Sequence, residues 1–301
     1  MLAIVAPGQG AQTPGMLSAW CEDSALRDYV QTASDQCGLD LFRLGTAAEA
    51  DEIKDTANAQ PLIVIAGLLG FRALGVSPTV VAGHSVGEIT AAAVGGVISD
   101  QDALTLVRTR GVEMAQVAAS IPSGMSAVLG GERADVLAAL ENLGLIAAND
   151  NGAGQIVAAG DLQSLAALAE NPPAGARVRA LAVAGAFHTP VMKPAVTAVG
   201  KLAATLPVHS PQALILSNKD GAAISDGREV IDRIVEQIAH PVRWNLCMSS
   251  LKTLGVTGVI ELPPAGTLVG LLKRAEPTIE TFALKSPNEI AAAREFAAAH
   301  S

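Results

Sequence analysis

Gly83-His84-Ser85-Val86-Gly87 has the residue types and spacing of a nucleophile with its oxyanion support. The apolar run Val80-Val81-Ala82 leads into it, and an Ala-rich segment follows. That order predicts a strand, a sharp turn and a helix, the elbow on which a serine is lifted above a sheet edge. Glycines on both sides of Ser85 suit a turn with no room for side chains. The first free N–H groups of the helix would point at whatever Ser85 attacks. A serine hydroxyl also needs a base. The chain offers His84, His188, His209, His240 and His300. His84 adjoins Ser85, where neighbouring side chains diverge, and reads as structural. His209 lies in a Pro-flanked loop and His300 in a frayed C-terminal tail. His188, between Gly- and Pro-bearing segments, is the favoured base, with His240 as its rival. An acid to orient the base is not evident: Asp220 and Asp226 follow Ser85, but neither has a context that recommends it.

Two further features could meet a substrate. Pro7-Gly8-Gln9-Gly10-Ala11-Gln12 follows the apolar run Leu2 to Ala6. It reads either as a surface turn or as a loop that turns a backbone N–H towards the nucleophile, since such oxyanion holes take one N–H from a distant loop. Arg108 and Arg110 fall on a helix expected over Gln101 to Ala118. The simpler reading is a solvated helix face; a guanidinium turned inward would suit a substrate carboxylate. No His/Cys/Asp cluster has ligand spacing, so no metal is expected. Gly8-Gln9-Gly10 lacks the third glycine and the acidic residue of a dinucleotide-binding turn.

The elements that must position these residues follow from composition and periodicity. Of 301 residues, half are hydrophobic and only 3% aromatic, so the core must be built from Ala, Val, Leu and Ile. The length suffices for one large core with an inserted subdomain. Strands alternating with helices predict an α/β fold with a mostly parallel sheet covered on both faces. Ala59 to Gly75 is apolar all round and predicts a helix buried against that sheet. The elbow helix is expected to continue to about Val97, with Ser99 or Asp100 capping the next. Then the pattern shortens. Strands are expected at Ser126 to Leu129, Leu145 to Ala148, Gln155 to Ala159 and Val178 to Val183, with helices at Arg133 to Leu143 and Leu162 to Glu170. This β-α-β-β-α-β order predicts a ferredoxin-like subdomain. The expected division is therefore a core of residues 1–123 and 188–301 with a small subdomain at 124–187.

A net charge of −9 argues against general nucleic-acid binding. Cys21, Cys37 and Cys247 form no C-x-x-C and read as free thiols in a reducing compartment. The apolar start reaches Pro7-Gly8 too soon for a signal peptide, and the longest apolar stretch, Pro61 to Leu69, is too short to span a bilayer. A soluble, cytoplasmic monomer without a membrane partner is expected.

Several stretches together resemble one family. They are Pro7-Gly8-Gln9-Gly10-Ala11-Gln12, Gly83 to Glu88, Thr109-Arg110-Gly111, Asn151 to Gln155, Gly185-Ala186-Phe187-His188, Gln237 with Pro241-Val242-Arg243-Trp244, and Glu261 to Gly266. In this order, over nearly the whole chain, they resemble the malonyl-CoA:acyl-carrier-protein transacylases of fatty acid synthesis, above all actinobacterial ones, and the related acyltransferase domains of polyketide synthases. The resemblance implies an α/β-hydrolase-like core with a ferredoxin-like insert. It implies Ser85 as nucleophile, His188 as base, and the N–H groups of Gln9 and Val86 as oxyanion hole. Arg110 would hold the malonyl carboxylate, Phe187 would favour malonyl, and the main-chain carbonyl of Gln237 would hold the imidazole in place of an acid. His240 stands where many members have Asn, and Ala11 where Ser is usual. No permanently bound cofactor is implied: malonyl-CoA is the donor, and the phosphopantetheine thiol of acyl carrier protein the acceptor, in a ping-pong reaction. The alternatives are a thioesterase or esterase on the same scaffold, which should show an Asp or Glu beside His188, a polyketide acyltransferase, and a non-catalytic carrier-protein binding subunit.

Overall fold

Leu2–Ala6 forms strand β1, and all five residues are buried. A strand apolar on both faces belongs inside a parallel sheet with helices above and below. The computed structural model, which describes residues 1–183 and 185–301, has it there. From β1 the chain passes through helices α1 (Ser24–Cys37), α2 (Leu41–Thr46), α3 (Ala50–Lys54) and α4 (Thr56–Leu74) to strand β2 (Val80–Gly83). Helices α5 (Gly87–Val94) and α6 (Asp100–Ser120) follow. Next come β3 (Gly124–Gly130), α7 (Arg133–Asn142), β4 (Ile146–Asp150), β5 (Gln155–Gly160), α8 (Leu162–Glu170) and β6 (Ala176–Ala180). The chain then runs through α9 (Lys193–Ala203), β7 (Leu214–Leu216), β8 (Ala223–Ile224), α10 (Gly227–Glu236) and α11 (Trp244–Thr253). It closes with β9 (Gly258–Glu261), α12 (Thr267–Ala275), β10 (Glu280–Ala283) and α13 (Ile290–His300).

The fold is α/β, with a six-stranded, mostly parallel sheet and a separate four-stranded antiparallel one. The larger sheet has the order β10-β9-β1-β2-β7-β8, and only β7 with β8 is antiparallel. Parallel pairing brings the C-terminal ends of β1, β2 and β9 to one edge, where ligands of open α/β sheets bind. The smaller sheet has the order β4-β5-β3-β6. Its edge strand β4 is anchored on the core. The Val242 N–H donates to the Ala148 carbonyl at 2.8 Å, and the Asp150 N–H to the Val242 carbonyl at 2.9 Å. Pairing of an exposed edge fixes the two walls of the intervening cleft.

Helix α4 is buried without a break from Ala59 to Gly70. It starts three residues before the expected Ala59 because the Asp55 carboxylate caps it, accepting the Ala57 N–H at 2.7 Å. At 19 residues it is the one described helix long and apolar enough to cross a membrane, against the shorter run read from sequence, and 72% of its apolar 18-residue window is buried inside the protein. The elbow helix ends at Val94, before Gly95-Gly96, rather than near Val97. The strand expected at Val178 to Val183 lies earlier. Its register is set by β3, with Ala176 opposite Gly130 and Ala180 opposite Ser126. Leu181 to Val183 leave the sheet to line the cleft. The two-residue β8 is too short to show a period in the sequence. The tail is not frayed: His300 is buried at the end of α13, with Nδ1 3.0 Å from the Thr257 hydroxyl.

Candidate active site

The elbow forms between β2 and α5. Ser85 sits at φ 54°, a left-handed conformation costly for a side-chain-bearing residue. The chain turns so sharply that a Cβ on Gly83 would collide with the Gly87 carbonyl, and one on Gly87 with the Ala6 carbonyl oxygen. Glycine at both positions lets β1, β2 and α5 meet backbone to backbone. The cleft above the elbow encloses about 430 Å³ and is lined by Gln9, His84, Ser85, Arg110, Phe187 and His188 among others.

His188, not His240, meets Ser85. The Ser85 Oγ lies 2.7 Å from His188 Nε2, and His188 Nδ1 lies 2.8 Å from the main-chain oxygen of Gln237. A carbonyl only accepts, so the proton sits on Nδ1 and the Nε2 lone pair faces the serine hydroxyl. The tautomer is thus set without a carboxylate. Burial pushes His188 down to about 3, with the Arg110 charge adding to the effect. The imidazole is therefore a neutral acceptor at neutral pH. His240 is exposed, with Nδ1 2.7 Å from the Glu236 carbonyl, and does not line the cleft. His209 is exposed. Asp226 caps α10 through the Glu229 N–H, and Asp220 pairs with Arg233.

Arg110 overturns the solvated-face reading. It is 1% exposed, on the inner side of α6. Its Nη1 donates to Gln60 Oε1 at 2.6 Å, and its Nη2 to Gln237 Oε1 at 3.1 Å and towards Ser85 Oγ at 3.5 Å. Its Nε is buried and has no partner among the described residues. Burial lowers its pKa to about 10, with the Glu88 charge opposing, so it remains a cation at neutral pH. Arg108 turns away, Nη1 donating to the Ala57 carbonyl at 2.9 Å.

The Gln9 loop faces the elbow across the cleft, its side chain held by Thr56 through an Nε2–Oγ1 bond of 3.2 Å. The Ser85 N–H is occupied by Asn218 Oδ1 at 2.8 Å. Among the described residues, the N–H groups of Gln9 and Val86 donate to no other chain atom. Free N–H groups beside a nucleophile can receive a developing oxyanion. Phe187 is 5% exposed and lines the cleft beside His188. His84 is structural, as expected: its Nε2 lies 2.8 Å from Asn151 Oδ1 and its ring packs edge-on against Trp244. The contact ties the elbow to the turn between β4 and β5. Asn151→Ala should cost about 1 kcal/mol of stability, the net worth of one such bond, read as a lower midpoint in urea unfolding.

Comparison with known proteins fits this geometry. Residues 4–286 match the family model described as acyl transferase domain. The malonyl CoA-acyl carrier protein transacylase of Mycobacterium tuberculosis is 50% identical over 296 residues, covering 96% of this chain and 98% of that protein. The chain belongs to the malonyl CoA-acyl carrier protein transacylase family. The crystal structure of the M. tuberculosis MCAT superposes with a TM-score of 0.94 at 49% identity, covering 97% of this chain and 99% of that one. A malonyl-transacylase solved in complex with a type II PKS acyl-carrier protein superposes with a TM-score of 0.92 at 29% identity, covering 98% and 99%.

Three buried polar residues of this transacylase-family site escaped sequence reasoning. Gln60 sits inside an apolar helix and holds Arg110 Nη1. Asn218 lies just past the end of β7. It is fully buried; its Oδ1 accepts from Ser85 N–H and Gln237 Nε2, and its Nδ2 donates to the Gly83 carbonyl at 2.7 Å. Glu88 had only marked the family. Its carboxylate accepts the Asn218 N–H at 2.6 Å and the Gln237 amide. One signal pointed to Asn218: it follows β7, at the strand-end edge where parallel sheets gather their sites.

Proposed function

We propose that the chain transfers malonyl from malonyl-CoA to the phosphopantetheine thiol of acyl carrier protein through a malonyl ester on Ser85. The observation that carries this reading is Arg110: a buried guanidinium, 3.5 Å from the Ser85 hydroxyl, with Nε unpartnered. An unbranched acyl group attached at Ser85 and ending in a carboxylate would complete that guanidinium through Nε and Nη2. His188 Nε2 takes the Ser85 proton as Oγ attacks the thioester carbon. The oxyanion of the tetrahedral intermediate lies on the N–H groups of Gln9 and Val86. The imidazolium returns the proton to the departing CoA thiolate, leaving the acyl-serine. The carrier thiol then enters, gives its proton to His188 and reverses these steps. Phe187, packed beside His188, would crowd a branch on the acyl chain.

The fold reading that accompanies this function is an α/β-hydrolase-like core, residues 1–123 and 188–301, with a ferredoxin-like insert at 124–187. The elbow on a parallel sheet and the strand order of the small sheet support it. The malonyl-transacylase solved with its carrier protein supports acyl carrier protein as the partner. We further read the enzyme as a cytoplasmic monomer that needs no resident cofactor and engages neither nucleic acid nor membrane.

Incubation with malonyl-CoA alone, followed by mass spectrometry of peptides, tests the proposal. A malonyl adduct on the Ser85 peptide is expected, discharged only when holo acyl carrier protein is added. Rapid release of free malonate without acceptor would point to a hydrolase. Absence of any adduct would point to a binding subunit.

A further inference from the structure

A buried cation needs a compensating anion. Yet Arg110 forms no ion pair among the described residues. Its partners are two neutral amides and a hydroxyl. The carboxylate that its network reaches is Glu88, which is 4% exposed. Gln237 stands between them, with Oε1 accepting from Arg110 and Nε2 donating to Glu88. Because a guanidinium only donates, it fixes which way the Gln237 amide points. Glu88 Oε1 meanwhile accepts the Asn218 N–H. Both carboxylate oxygens therefore face N–H donors, which suits the ionised form and leaves no acceptor for an acid proton. Burial works against this and raises Glu88 above the ordinary carboxylate range, opposed by the Asn218 N–H and the charges of Arg110 and Arg233 and reinforced by Asp220; the donors facing both oxygens are what hold the ionised form.

We propose that Glu88 is the remote counter-ion of Arg110, coupled to it through the Gln237 amide, and that this spacing keeps the guanidinium charged yet open to a substrate carboxylate. A carboxylate placed directly on Arg110 would occupy the donors the substrate needs and repel the incoming negative charge. The amide between them passes on the hydrogen-bond polarity without a charge of its own. Glu88 does not touch the substrate; it is a positioning residue. Through Asn218 it also steadies the Ser85 N–H and the Gly83 carbonyl, so one group underlies both the clamp and the elbow. The inference rests on the reading of Arg110 as the holder of the malonyl carboxylate.

The test compares two proteins, Glu88→Gln and the exchange Glu88→Gln with Gln237→Glu. For each, kcat/KM is measured with malonyl-CoA and acetyl-CoA, together with thermal unfolding. In Glu88→Gln an amide N–H is forced against another donor and the counter-charge is lost. The malonyl-over-acetyl preference should fall roughly tenfold or more, and the melting temperature should drop. In the exchange, the carboxylate at position 237 accepts from Arg110 and from the new amide at position 88. Only part of the stability should return, because the donor that Gln237 gives Asn218 Oδ1 is still lost, while the preference stays low because the clamp is now occupied. Equal losses with both substrates in Glu88→Gln would overturn the proposal. So would an exchange protein that regains full malonyl preference, or one less stable than Glu88→Gln alone. Failure of the underlying reading shows elsewhere, as loss of both substrates alike in Arg110→Ala.

Discussion

Arg110→Ala should lower kcat/KM for malonyl-CoA by roughly 100- to 5,000-fold and disturb acetyl-CoA transfer far less. Removing one partner of a buried charge pair costs about 3–5 kcal/mol, and each 1.36 kcal/mol is about tenfold in rate. The pair in question is the guanidinium, 1% exposed, with the carboxylate of the substrate. Acetyl has no carboxylate to strand, so it should lose only what the packing loses. Arg110→Lys should rescue little, because a single ammonium cannot reproduce a planar fork already held by Gln60 and Gln237. Steady-state rates with the two donors decide the matter. Equal losses would remove Arg110 from substrate selection.

His188→Ala should lower acyl transfer by about 100- to 10,000-fold, the range for a general base, with the fold intact. Pre-steady-state acylation of Ser85 from malonyl-CoA would show the loss in the first half-reaction. The pH dependence carries a sign. Burial and the Arg110 charge hold His188 at about 3, below its ordinary 6.5. In the unfolded chain it would bind a proton at 6.5. The native state thus binds fewer protons between pH 6.5 and 3, and stability is lost as pH falls through that window. The acid limb of kcat/KM should accordingly lie below the ordinary histidine range. A limb centred near 6.5 would contradict the burial of a neutral imidazole.

How much of this was legible beforehand depended on distance along the chain. The elbow was legible because its signals are local: an apolar run, two glycines around a serine, then Ala-rich helix former. The β-α-β-β-α-β order of the small sheet was legible for the same reason, with strand ends displaced by a few residues where pairing with β3 sets the limit. The choice of base was less legible. Ser85 and His188 are 103 positions apart, and no period connects them. His188 and His240 could be ranked only by their flanking residues and by family resemblance. Arg108 and Arg110 had the same surface reading.

The sequence by itself determined a strand–serine–helix elbow, an α/β alternation, a short β-α-β-β-α-β run and, through ordered motifs, a transacylase family. These depend on propensity, periodicity and glycine sterics, which act over a few residues. Only the tertiary structure decided that His188 meets Ser85, that Arg110 is buried with an unpartnered Nε, and that the Gln237 carbonyl implied by the resemblance lies within hydrogen-bond reach of His188 Nδ1. It also brought Glu88, Asn218, Gln237 and Gln60 together beneath the elbow, from α5, the end of β7, the end of α10 and α4. Buried polar groups must find partners wherever the packing of distant elements delivers them, and that packing has no local signature.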